Sequence, residues 1–221
     1  MSSVLTSKTV PSALPTILPV FPLSGAVLLP YARLPLNIFE PRYLAMIEDA
    51  LGKGRMIGMI QPVIGDDASA PPLFSVGCAG RITSFNETDD GRLLIVLTGI
   101  CRFRVIKELP TTRLYRTVEP DWKPYLTDLS EGEPVEIDRG RLIELLKTYF
   151  QKNSISVDWN VVQSAPNDVL VPTTIMICPL APNEKQALLE AENFTARAKM
   201  LITLLEMAVM PQAENEAEMR H

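Results

Sequence analysis

Hydrophobic positions between residues 17 and 120 come in short runs of strand length, each closed by proline or glycine, whereas beyond residue 137 they recur at helical spacing. The first three runs lie in LPVFPLSGAVLLPYARLPLNIF, where prolines at 19, 22, 30 and 35 withhold ladder hydrogen bonds and fix φ near −65°. Each run is therefore expected as a short or edge strand with a corner after it. The next stretch, EPRYLAMIEDAL, reads as a helix: Pro41 suits the first helical position and makes Glu40 the cap residue. Phe39 and Leu44 have the spacing of a hydrophobic staple, and Leu44, Ile47 and Leu51 form the apolar stripe.

After glycines at 52 and 54, residues 55–62 read as a strand and 65–72 as a loop. FSVGCAGRITSFNET reads as one long strand, with Gly77 and Gly80 marking a bulge or bend. Asp89, Asp90 and Gly91 form a turn, so residues 82–98 are expected as an antiparallel hairpin. Gly99 is expected to break the run. CRFRVIKEL then alternates, with Cys101, Phe103 and Val105 on one face and Arg102 and Arg104 on the other; residues 114–120 make a last strand. Short bent strands, one helix and no β-α-β rhythm indicate a closed or nearly closed antiparallel barrel.

The period changes after residue 136. Polar, proline-marked residues 121–136 read as a linker. Asp138 can cap a helix bearing Leu142, Leu145, Leu146 and Tyr149, and a shorter helical segment centres on Trp159 and Val162. The run from Val169 to Cys178 reads as a buried helix, although its pattern also permits a strand. Asn183 and Gln186 have capping-box spacing, and Phe194, Ala198, Leu201, Leu205 and Ala208 trace the seam of the longest helix, stopped by Pro211. The expected organisation is α+β: a loose tail 1–16, a bent β-barrel subdomain with one helix over 17–120, the linker 121–136, a helical bundle over 137–210 and a disordered tail 211–221.

Composition narrows the function classes. With 221 residues and 47% hydrophobic content the chain can bury a core without metal or disulfide, yet no apolar run reaches the length that spans a bilayer. The amino terminus lacks a signal-peptide pattern, so a cytoplasmic protein is expected. Its three cysteines, Cys78, Cys101 and Cys178, sit among apolar neighbours and suit buried reduced thiols. Residues 1–120 hold twelve Lys and Arg against ten Asp and Glu, a net of +2; residues 121–221 hold nine against sixteen, a net of −7. An acidic half argues against wrapping nucleic acid.

Catalytic chemistry finds little support. There is no Gly-Lys-Ser/Thr and no G-x-G-x-x-G, so no phosphate cradle, and the one histidine is the final residue, His221. A zinc site of usual ligand type and any cofactor are not expected. Glu40, Arg42 and Tyr43 can be explained by the helix start, or alternatively Arg42 and Tyr43 line an interface for peptide. Met46, Met56 and Met59 are either core or an adaptable binding surface. Arg102 and Arg104, with Lys107, Arg113 and Arg116 nearby, form a modest basic stripe, which is either a solvated strand face or a phosphate-binding one.

The order PVFPL, a run to LLP, then LPLNIFEPRYLAMI resembles the opening of the Lon protease amino-terminal domain family, which also occurs free of the protease. LTGICRFRV at 97–105 and EKQALLEAEN at 184–193 add to the likeness, which covers about residues 17–210. The resemblance implies a PUA-like barrel followed by a small helical bundle. It also implies a non-enzymatic module recognising exposed or unfolded polypeptide segments, as an adaptor or regulator beside a protease. Because PUA-like barrels elsewhere bind RNA, the alternative is RNA binding through the strand of Arg102 and Arg104. The resulting candidate interface is Glu40, Arg42, Tyr43, Met46, Met59, Arg102 and Arg104.

Overall fold

A computed structural model describes residues 14–63, 71–130 and 137–210, and the chain divides into two compact units, residues 1–132 and 133–221. The expected loop 65–72 and terminal tails fall largely outside the described residues. Residues 14–16 do not behave as a loose tail: Leu14 packs on the barrel core, and the Pro15 carbonyl accepts from Trp122 Nε1 at 3.0 Å.

The first unit contains six strands: β1 (Leu18–Pro22), β2 (Arg33–Ile38), β3 (Met56–Ile60), β4 (Val76–Glu87), β5 (Leu93–Leu109) and β6 (Arg116–Asp121). They pair in the order β2-β5-β4-β3-β1-β6, and a further β5–β6 pairing closes five of them into a ring. The strands β4 and β5 form the expected hairpin, turning through Gly91 at φ +78°. One pair departs from the antiparallel expectation. β1 runs parallel to β3, because β2 and helix α1 (Pro41–Leu51) lie between them and carry the chain back over the sheet.

Gly99 does not end a strand, since β5 continues through it for 17 residues. The pairings Ala79–Cys101 and Gly80–Gly99 leave Ile100 as an extra residue, and Val105–Pro120 followed by Lys107–Glu119 does the same for Ile106. These bulges bend one strand far enough to serve both β2 at its start and β6 at its end. Glycine at position 99 is required by a close approach: a methyl there would collide with the Leu29 carbonyl, while Tyr31 N donates to the Gly99 carbonyl and Gly99 N to the Ala32 carbonyl.

The barrel interior is filled by Leu18, Val20, Met56, Ile60, Ala79, Phe103 and Val118. The Phe103 ring meets Trp122 edge-on at 5.8 Å, and Gly77 leaves room for it; a Cβ there would lie 2.6 Å from the ring. Along α1 the buried face is Tyr43, Met46, Ile47 and Ala50, rotated from the expected Leu44, Ile47, Leu51 stripe. Phe39, the expected staple residue, is 62% exposed.

Part of the expected linker is ordered structure of the first unit. Asp121 ends β6, and Lys123–Leu129 forms a 3-10 helix packed on β5 with Tyr125 buried. The second unit is helical: α2 (Arg139–Lys152), α3 (Trp159–Ser164), α4 (Asn167–Ile177), α5 (Pro182–Glu190) and α6 (Phe194–Val209). Asp138 caps α2 through Arg141 N at 2.9 Å, and Leu142, Leu145, Leu146 and Tyr149 are buried. Val169–Cys178 falls in helix α4 and its cap, not in a strand. The cap of α5 is Ala181, two residues before the expected Asn183; the Glu184 carboxylate takes the Ala181 N–H at 2.7 Å. Among the described residues no helix is long and apolar enough to cross a membrane.

Gly99→Ala is expected to cost about 1–3 kcal/mol through forced backbone displacement. Gly52→Ala, in a right-handed conformation where a Cβ would meet only the Asp49 carbonyl at an ordinary 3.7 Å, is expected to be close to neutral. Urea unfolding of the two variants checks the contrast.

Candidate functional site

Three prolines from the ends and connections of strands, with the start of α1, shape an open cleft of about 340 Å³ on the barrel. Pro22 ends β1 opposite Ile60, Pro62 follows β3, and Pro71 opens the return toward β4. Pro41 starts α1, which brings Arg42 and Tyr43 to one wall; Leu114, Tyr115 and Arg116, where the chain enters β6, form the other. The cleft thus gathers residues from segments that are distant along the chain.

Each wall is braced from outside the cleft. The Arg42 guanidinium lies 4.6 Å from the centre of the Tyr43 ring, and its Nε and Nη2 donate to Glu40 Oε2 at 2.9 and 2.7 Å. Glu40 therefore occupies the cap position without capping; its carboxylate serves Arg42 instead. The Tyr43 ring meets Phe21 edge-on at 4.1 Å, and burial raises its phenol above the usual range. On the opposite wall Arg116 donates through Nε to Glu108 Oε2 and through Nη1 to the Pro71 carbonyl, both at 2.8 Å, while its Nη2 pairs with Glu108 Oε1.

Tyr115 Oη donates to Asp49 Oδ2 at 2.6 Å, tying the cleft wall to the far end of α1; Arg113 approaches the same oxygen at 3.3 Å. Burial, then the bond to Asp49, push the Tyr115 phenol up to about 12, and the same bond lowers the Asp49 carboxyl below 3.8. Leu114 stands at the rim with 70% of its surface exposed.

Of the candidate interface residues, Arg42 and Tyr43 line this cleft and Glu40 anchors one of them. Met46 and Met59 do not belong to any surface: they are 0% and 1% exposed, on the inward faces of α1 and β3, and Met56 is buried too. Arg102 is likewise buried, at 2%, despite alternating with core residues, because the 3-10 helix covers that side of β5. Asp128 Oδ2 accepts from Arg102 N and Nε at 3.0 and 2.9 Å, its Oδ1 accepts from Nη2 at 2.8 Å, and the guanidinium lies 4.6 Å from the Tyr125 ring centre. Arg104 is exposed. Lys107 pairs with Glu119 at 3.1 Å, and Arg113 and Arg116 pair with Asp49 and Glu108, so the basic stripe is largely neutralised. The strand of Arg102 and Arg104 does not present the open row of cations that phosphate binding requires.

The three cysteines are free and buried. Burial pushes the Cys101 and Cys178 thiols up to about 12, which keeps them protonated and unreactive. Among the described residues no cluster of three His, Cys, Asp or Glu could hold a metal ion.

Arg102→Met is expected to cost about 3–5 kcal/mol in urea unfolding, since Asp128 would keep a buried charge without its partner, whereas Arg104→Ala should change stability by less than about 0.5 kcal/mol. The Tyr115–Asp49 bond also predicts a pH dependence. The raised phenol contributes stability below pH 10 that is lost as pH rises toward about 12, and the lowered carboxyl contributes stability above pH 3.8 that is lost in more acid solution. Asp49→Asn should move the Tyr115 titration down toward 10, followed by phenolate absorbance.

Residues 17–207 match the family described as the ATP-dependent protease La (LON) substrate-binding domain. Lon protease 2 of Sorangium cellulosum is 24% identical over 218 residues, and Lon protease 2 of Myxococcus xanthus is 26% identical over 203. These alignments cover 90% and 87% of this chain but 26% and 24% of the relatives, so the chain spans about a quarter of their length. Among solved structures, a Lon N-terminal domain protein from Xanthomonas campestris superposes with a TM-score of 0.59 at 24% identity, covering 89% of this chain and 99% of that one. The N-terminal domain of Mycobacterium avium complex Lon protease gives 0.57 at 18% identity, covering 86% and 98%. The two superpositions bear out the expected α+β fold, and the match over 17–207 settles the kinship: the chain belongs to the LON substrate-binding domain family.

Proposed function

We propose that the chain is a non-catalytic recognition module that binds exposed or unfolded polypeptide segments and acts as an adaptor, presenting them to a separate protease in the cytoplasm. The observation that carries the reading is the family match over 17–207 on a chain whose barrel holds an open, proline- and tyrosine-walled cleft. Such a cleft suits an extended chain. Proline rings and Leu114 offer apolar surface to side chains, and the half-exposed Arg42 guanidinium can fix orientation by donating to a backbone carbonyl oxygen. The relatives it matches are Lon proteases, and the family that matches residues 17–207 is described as a substrate-binding domain, which supports recognition as the role of this chain.

The test is fluorescence anisotropy with labelled, reduced and carboxymethylated α-lactalbumin against the same protein in its native state. Saturable binding to the unfolded form alone is expected; equal or absent binding of both forms would refute recognition. The adaptor role is read separately, by adding the chain to a Lon-type protease digesting the unfolded substrate. Faster digestion is expected, and an unchanged rate would remove the adaptor role while leaving recognition standing.

A further inference from the structure

Beyond Ile82 the strand β4 keeps one neighbour of its two. β3 pairs with it at positions 78–81, and Ile82 N donates to the Arg55 carbonyl at 2.8 Å on the same side. The register with β5 then shifts between Ile82 and Ser84, a bulge that turns β4 away from β3 while its pairing with β5 continues to Glu87. Thr83 Oγ1 holds the bulge to β5 through the Val96 carbonyl at 3.2 Å and Thr98 Oγ1 at 3.0 Å. Residues 83–87 are all exposed, and among the described residues no strand pairs with their outer edge.

The same sheet treats its two open edges differently. β2, on the far side of β5, carries Arg33 at its start and Pro35 within it, and a proline gives a ladder no N–H. The open length of β4, TSFNE, has neither proline nor lysine, and its one charge, Glu87, lies at the end next to the turn. Phe85, 51% exposed, stands at the middle of that length. A row of backbone donors and acceptors without a guarding residue has one complementary chemistry, the backbone of another extended chain.

We propose that the free edge of β4 at residues 83–87 binds an extended polypeptide segment by adding it to the sheet as a further strand, with an apolar or β-branched side chain of the segment laid beside Phe85. This rests on the reading of the chain as a polypeptide-recognition module and gives that module a backbone-directed subsite separate from the cleft. Length decides between a client segment and a second copy. At about 3.4 Å per residue the edge is roughly 17 Å long, too short to bury by itself the roughly 1,200 Å² of a stable dimer. Ladder bonds are made by the main chain whatever the side chains, so such an edge accepts many sequences, as recognition of unfolded chains requires.

The test uses the full chain and a fluorescein-labelled peptide capped at both ends, Ser-Val-Thr-Val-Thr-Val-Ser, in three forms. One is unmodified, one is N-methylated at alternate residues and so keeps one intact edge, and one is N-methylated throughout and keeps none. By anisotropy the alternately methylated form should bind within about threefold of the unmodified peptide, and the fully methylated form about tenfold or more weakly. Hydrogen exchange read by mass spectrometry localises the site: with the unmodified peptide bound, the segment holding residues 83–87 should exchange about fivefold or more slowly. Phe85→Lys, which places a guarding charge on the edge, should weaken the peptide about fivefold or more. Circular dichroism confirms that this variant is folded, and the exchange measurement on the unaltered chain decides the site without it.

Equal binding of the unmodified and fully methylated peptides would overturn strand addition, and protection confined to segments other than 83–87 would overturn the assignment to this edge. Protection of 83–87 that grows with protein concentration in the absence of peptide would place a second copy on the edge and remove the client segment as its occupant. In each of these cases saturable binding of unfolded α-lactalbumin would leave the recognition reading intact. If neither the peptides nor the unfolded protein bind, both fall together.

Discussion

One strand makes three partnerships, and the barrel depends on them. The first half of β5 pairs with β2 and β4, and its second half with β4 and β6, so closure of the ring rests on β5 bending between those tasks. The extra residues Ile100 and Ile106 supply the bends, and Gly99 admits the Leu29–Ala32 corner against the strand. Phe103 then occupies the interior while its neighbour Arg102 is locked on the other side by Asp128, so successive residues are both buried and the 3-10 helix is fastened to the strand. A buried pair of this kind adds little net energy, but breaking one half of it is costly, which makes it a device for holding one arrangement.

The cleft follows from that scaffold. Because β6 is pinned between β1 and β5, the residues that enter it, Leu114 to Arg116, stand across from the start of α1. Pro22, Pro62 and Pro71 leave ring surfaces without donors at the cleft, and the anchoring carboxylates of Glu40 and Glu108 keep the two guanidiniums in place. A surface with ion-paired guanidiniums held in place and apolar area left exposed at Leu114 is suited to hold a chain.

Local signals in the sequence were sufficient where structure is local. Pro41 starts α1, Asp138 caps α2, the Asp-Asp-Gly turn joins β4 to β5, and the helical period from Phe194 onward marks α6. The reading failed where a distant segment decided the outcome. Alternation in CRFRVIKEL assigns Arg102 to solvent, and only the 3-10 helix, brought back from residues 123–129, buries it. The parallel β1–β3 pair depends on a crossover that no strand pattern encodes, and the stripe of α1 turned because the helix packs by Tyr43 and Met46. Half of the cleft was visible as Arg42 and Tyr43 beside a helix start. The other half falls in the strand expected over 114–120, with Arg116 in the basic stripe, and nothing in LYR reveals that it will face α1.

The most direct test of the account is amide chemical-shift mapping of the isotope-labelled chain during titration with an unfolded polypeptide. The largest shifts are expected at Arg42, Tyr43, Leu114, Tyr115 and Arg116, with β5 amides around Arg104 unmoved. Shifts confined to the β5 face or to the helical unit, with those five residues silent, would contradict it.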